Sequence, residues 1–326
     1  MKISLTELQE LVNKALVKYG YNDEEVKVLS EILMYAQMRG NNQGIVKLIG
    51  NGIPKNMNGK PYEVVKDTPV SALVNGNYTH AMVVMDAITD LAIEKAKASG
   101  IGIVGNNNTA ESTGAIGYYA SKIAKAGFIG LAFSSAPFQT TAPHGSTEAL
   151  FCTNPLAYAI PMEDGEIVFD MTTSAVAYYG LIEAKTQGTL LADNYGYDAD
   201  GNDTNDPVKI MGGAIKTMAG HKGSGLALLV QVLAGSLVGA ESFNSSSDNG
   251  GNLVIAIDPN ILSQSDDFKK DVTNIVKRIK SSKPVNTENE VMYPGERGNQ
   301  ATKNVIDSGY IEVEDNLLNE LKKVVG

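Results

Sequence analysis

The residues best suited to chemistry open an apolar stretch late in the chain. Gly220, His221, Lys222, Gly223, Ser224 and Gly225 run directly into Leu226, Leu229, Val230 and Leu233, which recur at helical spacing. A helix beginning there is apolar nearly all round and is therefore expected to be buried. Its first backbone N–H groups have no partner within the helix and carry the positive end of its dipole, which suits a phosphate or a carboxylate. Lys222 adds a full positive charge and His221 an imidazole. The same glycines also suit a plain helix entry packed closely against a neighbour.

Other candidate groups are scattered along the chain. Gln43 and Lys47 are four residues apart, so in a helix they share a face and reach one cleft; in a loop Lys47 is simply solvated. Asp170 ends an apolar run and either caps a helix or hydrogen-bonds a ligand. No pair among His80, His144 and His221 has metal-ligand spacing, and Cys152 is alone, which argues against a zinc site. The acidic turn Asp198–Asp203 touches calcium-loop spacing, but Lys209 stands where a bidentate glutamate belongs. No Gly-x-Ser-x-Gly elbow or GxxxxGK[ST] phosphate loop occurs, and a Ser-His-Asp hydrolase has no local signature here. What remains is a set of polar turns around Ser112, His144, Asn154, Asp170, His221 and Glu296, most of them near the ends of apolar elements. That is the pattern of a cleft built from loops on a rigid scaffold.

The elements that must hold these turns read as an α/β protein. Ser4 and Glu7, then Asn22 and Glu25, mark two helix starts, and the apolar faces that follow predict an antiparallel helical hairpin. Strands are expected at Ser71–Asn75, Ile129–Ser134, Ala157–Pro161 and Leu253–Ile257, and over Ile167–Ser174, where the strand runs into a polar end. Helices are expected at Ala81–Ser99, Tyr118–Lys125, Phe268–Lys280 and Asn316–Val324. Gly100, Gly102 and Gly105 form a GxGxxG string, yet a helix precedes it and a strand follows, the reverse of the dinucleotide fingerprint. They read as a helix stop leading into a buried strand, with a polar loop over Asn106–Gly114 after it. Pro294–Gly298 reads as a turn and Ser245–Gly251 as a flexible polar connector.

Composition narrows the partners. The 326 residues carry 27 basic and 37 acidic side chains, a net charge of −10, with no long basic run, which argues against nucleic acid and anionic membranes. Hydrophobic residues make up 43% and charged ones 20%, ordinary values for a soluble globular protein. Apolar runs such as Leu226–Ala234 are too short to span a bilayer, and nothing at the N-terminus reads as a signal peptide. With the lone Cys152 this points to a reducing, cytoplasmic setting.

Taken together, the turns resemble the malate/L-lactate dehydrogenase family that lacks a Rossmann domain, whose members include ureidoglycolate dehydrogenase, diketogulonate reductase and piperideine-carboxylate reductase. The matching segments are Thr113–Ala120, Gly127–Gly130, Thr153–Ala157, Phe169–Ser174, Gly220–Ala227 and Pro294–Glu296, in the family's order. The resemblance implies a non-Rossmann α/β fold with a mixed-sheet cofactor domain, a substrate and dimerisation domain with N-terminal helices, and a homodimer. The corresponding division is 1–75 for the N-terminal helical and substrate region, 76–245 for the cofactor core, and 246–326 for a C-terminal segment completing the sheet. It also implies NAD or NADP as cofactor and a small carboxylate as substrate. Asp170, Met171, Thr172, His221, Lys222, Gly223, Gly295 and Glu296, together with Ser112, are the expected cofactor contacts.

The catalytic positions depart from the family's pattern. Gln43 stands where the family has a histidine, Lys47 where it has an arginine, and Ser112 where it has a second histidine. Reduction of a ketone needs a proton donor near the carbonyl oxygen, and a neutral glutamine is no general acid. Lys47 keeps a charge for a carboxylate but loses the fork of arginine. Three solutions stay open: His144 moves into the donor role, a partly desolvated Lys47 donates, or the substrate is an imine that accepts hydride directly. The expected catalytic group is therefore Gln43, Lys47 and His144. The principal reading is an NAD(P)-dependent oxidoreductase of small 2-oxo, 2-hydroxy or 2-imino carboxylates; the other is a scaffold repurposed for non-redox catalysis or ligand binding.

Overall fold

The computed structural model describes all residues except Ala110, 244–246 and 287–289. Strand β1 (Lys2–Ser4) leads into helices α1 (Leu5–Lys18) and α2 (Asp23–Met38). Strands β2 (Glu63–Asp67) and β3 (Ser71–Asn75), helix α3 (Ala81–Ser99) and strand β4 (Ile101–Thr109) follow. Next come α4 (Gly117–Lys125), β5 (Ile129–Ser135), β6 (Thr141–Ala142), β7 (Leu156–Met162) and β8 (Gly165–Met171). Then come α5 (Tyr178–Gln187), β9 (Gly196–Tyr197), β10 (Asp203–Thr204), α6 (Pro207–Gly212), β11 (Ala214–Lys216) and α7 (His221–Ala234). The chain closes with β12 (Gly250–Ile257), α8 (Ser265–Lys280), α9 (Glu296–Ser308), β13 (Tyr310–Glu312) and α10 (Asp315–Val325).

The starts expected for α1 and α2 are where the caps are. Ser4 Oγ accepts from the Glu7 amide, and Asn22 and Glu25 form a complete capping box. The large sheet has the order β2-β3-β4-β12-β5-β7-β8 and is mixed: β3 and β4 run parallel, every other neighbour antiparallel. Side chains alternate across it. Val104 and Ala132 enter the main core under α3 and α4, which continues into α1 and α2, while Phe133 and Leu253 face α7 on the other side with Val230 and Ala234. A small sheet, β10-β9-β11-β6, carries its own cluster of Leu181, Ile210 and Ile215. The two chain ends meet where β1 pairs with β13. This is the α/β fold with mixed sheets that the motifs imply.

The glycine string acts as a helix stop and a contact surface. Gly100 caps α3 with φ +82°, its amide bonded to the Ala96 carbonyl. A Cβ on Gly102 would collide with the Ala92 carbonyl oxygen, so α3 lies directly on the β4 backbone.

Several expectations change. Asn106–Thr109 is not loop but the end of β4, because Asn106 pairs in register with Asn252 of β12 and its buried amide donates to Thr109 Oγ1. The connector drawn at Ser245–Gly251 lies partly outside the described residues, and Gly250 and Gly251 belong to β12. The turn at Pro294–Gly298 ends at Gly295 (φ +89°), after which α9 runs to Ser308. Helix α7 is not buried all round: Leu228, Leu229 and Val232 are 55%, 47% and 47% exposed, since only the Ala227, Val230, Gln231 and Ala234 face meets the sheet. The apolar run is also longer than expected. His221–Val238 reaches a mean hydropathy of 1.2 over 18 residues, a length and composition that could cross a membrane. Its α-helix stops after 14 residues, and its covered face packs on β5 and β12.

Because α3 and β4 touch backbone to backbone at Gly102, Gly102→Ala should cost about 1–3 kcal/mol through overpacking, seen as a lower urea midpoint with unchanged slope.

Candidate functional site

The segment after β8 joins most of the expected residues. Thr172 Oγ1 donates to the Thr153 carbonyl at 2.7 Å, and Thr173 Oγ1 donates to the Thr153 and Asn154 carbonyls at 3.1 and 3.0 Å. On its other side, the Met218 amide donates to the Thr173 carbonyl at 2.9 Å and Ser174 bridges Thr217. Asn154, fully buried, sends its amide N–H groups to the Ala227 carbonyl and to Gln231 Oε1 on α7. Thr172–Ser174 therefore lies between the Thr-Asn-Pro turn and the strand leading to α7. At the middle of β8, the Val168 amide donates to the Pro294 carbonyl at 3.2 Å, which sets the Gly295–Glu296 turn alongside. The segments carrying Gly295, Glu296, Asp170–Thr172 and Lys222 are thus joined in sequence by hydrogen bonds, while Ser112 stands apart from them beside Lys47.

Within these segments the roles differ. Asp170 Oδ2 accepts from the Gly117 amide at 2.8 Å, so it caps α4 from another strand. Asp170 is an exposed residue whose carboxyl lies against the head of α4. Loss of surrounding water pushes its carboxyl up to about 6, with the Gly117 amide and the Arg39 guanidinium pulling the other way. Arg39, which sequence reasoning passed over, also bonds the Gly295 carbonyl at 3.2 Å and Asn299 Oδ1 at 2.6 Å. Glu296 is engaged by Lys280 and by the Tyr293 amide. Gly223 is a packing residue: a Cβ there would run into the Met218 carbonyl oxygen.

His221 and Lys222 are exposed at the mouth of α7, whose N-cap Gly220 (φ +62°) has no side chain to satisfy the first amides. Beside them opens a cleft of about 490 Å³ lined by His144, Tyr195, Lys216, Met218 and Gly220, among others. The His144 and His221 rings are 6.0 Å apart. An uncapped helix start, a cleft and nearby lysines are a fit for the phosphate portion of a dinucleotide. Gln43 and Lys47 do not line this cleft. Among the described residues no three His, Cys, Asp or Glu side chains gather as metal ligands.

Gln43 and Lys47 do not share a helical face. The only helical turn there is Ile45–Leu48, a 3₁₀ turn that begins after Gly44, and Gln43 bonds its neighbour Asn42. Nor is Lys47 solvated: it is 2% exposed, its Nζ donating to Ser112 Oγ at 2.7 Å and sitting 3.7 Å from the centre of the Tyr179 ring. Burial pushes its pKa down to about 7, opposed by the Glu111 carboxylate. His80 lies near enough to feel the lysine's charge. Burial first, and Lys47 second, hold it near 3, so it is neutral. Its Nδ1 accepts from the Met82 amide at the head of α3, leaving the proton on Nε2, which has no partner among the described residues. Tyr179 was missed because α5 is only weakly amphipathic, and His80 because a lone histidine has no pattern.

The comparisons agree with the motifs. A family model for malate/L-lactate dehydrogenase matches residues 3–322. The chain is 33% identical to the malate/(S)-sulfolactate dehydrogenase of Methanothermus fervidus, covering 99% of this chain and 97% of that one. It is 32% identical to the ureidoglycolate dehydrogenase (NAD(+)) of Escherichia coli, over 91% and 88% of the two chains. Sulfolactate dehydrogenase from Methanocaldococcus jannaschii shares the fold with a TM-score of 0.82 at 29% identity, over 99% and 96%.

A buried lysine of lowered pKa works against folding. Unfolded, it holds its proton up to its ordinary range; folded, it releases it near 7, so its contribution to stability rises between pH 7 and 10. Lys47→Met should therefore be the more stable protein at pH 6.5, by a few kcal/mol at most, and the gap should close toward pH 10. Urea unfolding at both values checks this.

Proposed function

The chain belongs to the malate/L-lactate dehydrogenase family, and from that premise we propose that it is a cytoplasmic NAD(P)-dependent oxidoreductase of a small 2-oxo, 2-hydroxy or 2-imino carboxylate. The observation that carries this reading is the continuous strip from Gly295 through Asp170–Ser174 to Lys222, with an uncapped helix start and a cleft at one end. Lys222 and the first amides of α7 would hold phosphate, with Asp170, Met171, Thr172, His221, Gly295 and Glu296 flanking the rest of the cofactor. The bound nicotinamide supplies or accepts the hydride.

The chain's own groups do the remainder. Lys47 places a positive charge that attracts a carboxylate, although a lysine 2% exposed acts on its surroundings rather than reaching into open space. Gln43 is half-buried and offers an amide that orients without donating a proton readily. His144 faces the α7 cleft, where it suits the cofactor side better than the lysine side. The division of labour follows the chain: 1–75 supplies Lys47, 76–245 the strip and α7, and 246–326 Gly295 and Glu296. Leu228, Leu229 and Val232 are the surface over which we place the second copy of a homodimer, a use that would explain their exposure.

Titrating the protein with NADH and NADPH and following nicotinamide fluorescence tests the cofactor. A panel of pyruvate, oxaloacetate and a cyclic imino acid then tests turnover. Binding without turnover would favour the repurposed scaffold, as Gln43 and Ser112 in place of histidines suggest. Lys222→Met should weaken binding of the preferred nucleotide about tenfold, worth about 1.4 kcal/mol, and flatten its salt dependence. An unchanged dissociation constant would remove Lys222 from the site.

A further inference from the structure

The hydroxyl of Ser112 is held in an unusual state. Lys47 Nζ donates into its oxygen at 2.7 Å, and the Gly114 amide donates into the same oxygen at 3.2 Å. A serine oxygen has two acceptor positions and one proton. Both positions are used, so the O–H must point elsewhere, and no acceptor receives it among the described residues. Ser112 is half-buried and Lys47 almost fully enclosed. Of the two, Ser112 is the more accessible, with the Lys47 ammonium bonded to it from the enclosed side.

We propose that Ser112 and Lys47 form a two-step proton-delivery pair, in which Ser112 protonates the substrate oxygen and is re-protonated by Lys47. This rests on the dehydrogenase reading above and names the donor that Gln43 cannot be. As hydride from the reduced nicotinamide adds to the carbonyl carbon, the C=O π pair moves onto oxygen. That oxygen takes the Ser112 proton while the serine oxygen takes one from the Lys47 ammonium, leaving a neutral amine. Oxidation of the hydroxy acid runs the same two transfers backward, with the hydride passing to the oxidised nicotinamide.

The surroundings favour this exchange. The groups facing Lys47 are Ser112 and Glu111 after β4, Tyr179 on α5 and His80 at the head of α3. Tyr21 packs edge-on against His80 at 6.0 Å. Only Glu111 is anionic, and it opposes the loss of the proton; enclosure outweighs it and eases release. Neutral His80 does not compete for the proton. The Tyr179 ring steadies the ammonium without accepting a proton from it.

Two measurements test the pair. The first follows the Lys47 side-chain nitrogen by ¹⁵N NMR in the intact protein, with Lys47→Met to assign the signal; deprotonation near pH 7 is expected. The second is reduction of oxaloacetate by NADH. In the wild type kcat should fall as pH rises through the same midpoint. Ser112→Ala should lower kcat about 100-fold with KM little changed, and Ser112→Thr should restore part of it. Lys47→Arg keeps the charge but releases no proton, so it should bind substrate and turn over slowly. The proposal is overturned if Ser112→Ala keeps kcat within about twofold, if that variant changes KM alone, or if Lys47 stays charged above pH 9. A wild type that binds NADH and reduces oxaloacetate with any of these results rejects the pair and leaves the dehydrogenase reading intact. A wild type that binds neither NADH nor NADPH rejects that reading, and the pair with it.

Discussion

Three parts of this molecule are held in register by two small polar side chains. Asn154 reaches α7 through its amide, and Thr173 accepts α7's leading strand through its carbonyl while its hydroxyl grips the Thr153–Asn154 turn. Both are fully buried, so their hydrogen bonds do not exchange with water and would be costly to leave unmade. The backbone at Asn154 takes φ +39°, a strain tolerated because the surrounding bonds determine it. Without this tie the mouth of α7 would have no fixed position relative to β8, and the strip from Gly295 to Lys222 would not be continuous.

The second organising fact is the contrast between the surroundings of α7 and those of Lys47. Around α7 the side chains of His221 and Lys222 reach solvent, while Lys216 pairs with Asp203 at 2.6 Å and lies over Tyr197. Around Lys47 the positive group is enclosed by a hydroxyl, an aromatic ring and a neutral imidazole. An open charge attracts and releases anions with little cost, whereas an enclosed one is poised to change its protonation state. The same residue type thus sits in two opposite environments, set by exposure alone.

Much of the fold was legible in the sequence because it depends on local signals. The capping residues Ser4 and Asn22, the periodicity of Ala81–Ser99 and the reversed order of helix and strand around Gly100–Gly105 each carry their meaning in a few neighbouring residues. The family was legible through motifs rather than periodicity. What failed were properties that depend on distant partners. Asn106–Thr109 looks polar and loop-like, and only pairing with β12 makes it strand. The exposure of Leu228 and Leu229 depends on how much of α7 the sheet covers. The enclosure of Lys47 depends on Ser112 and Tyr179, 65 and 132 residues away in sequence, and no local spacing announces it. The substitutions at Gln43 and Ser112 were visible at once; that Ser112 and Lys47 touch was not.

The place of β12 bears on how the protein is made. This strand lies between β4 and β5, which precede it by well over a hundred residues, and it holds the two halves of the large sheet together. During synthesis, β4 and β5 leave the ribosome with the edges that will flank β12 unpaired until Gly250–Ile257 has emerged. Pairings this remote slow folding and expose apolar strand edges in the interval. The β1–β13 ribbon adds a further requirement, since β1 finds its partner only after about three hundred more residues have been made. The nascent chain therefore has a long interval in which chaperones, or aggregation, can compete with the native sheet.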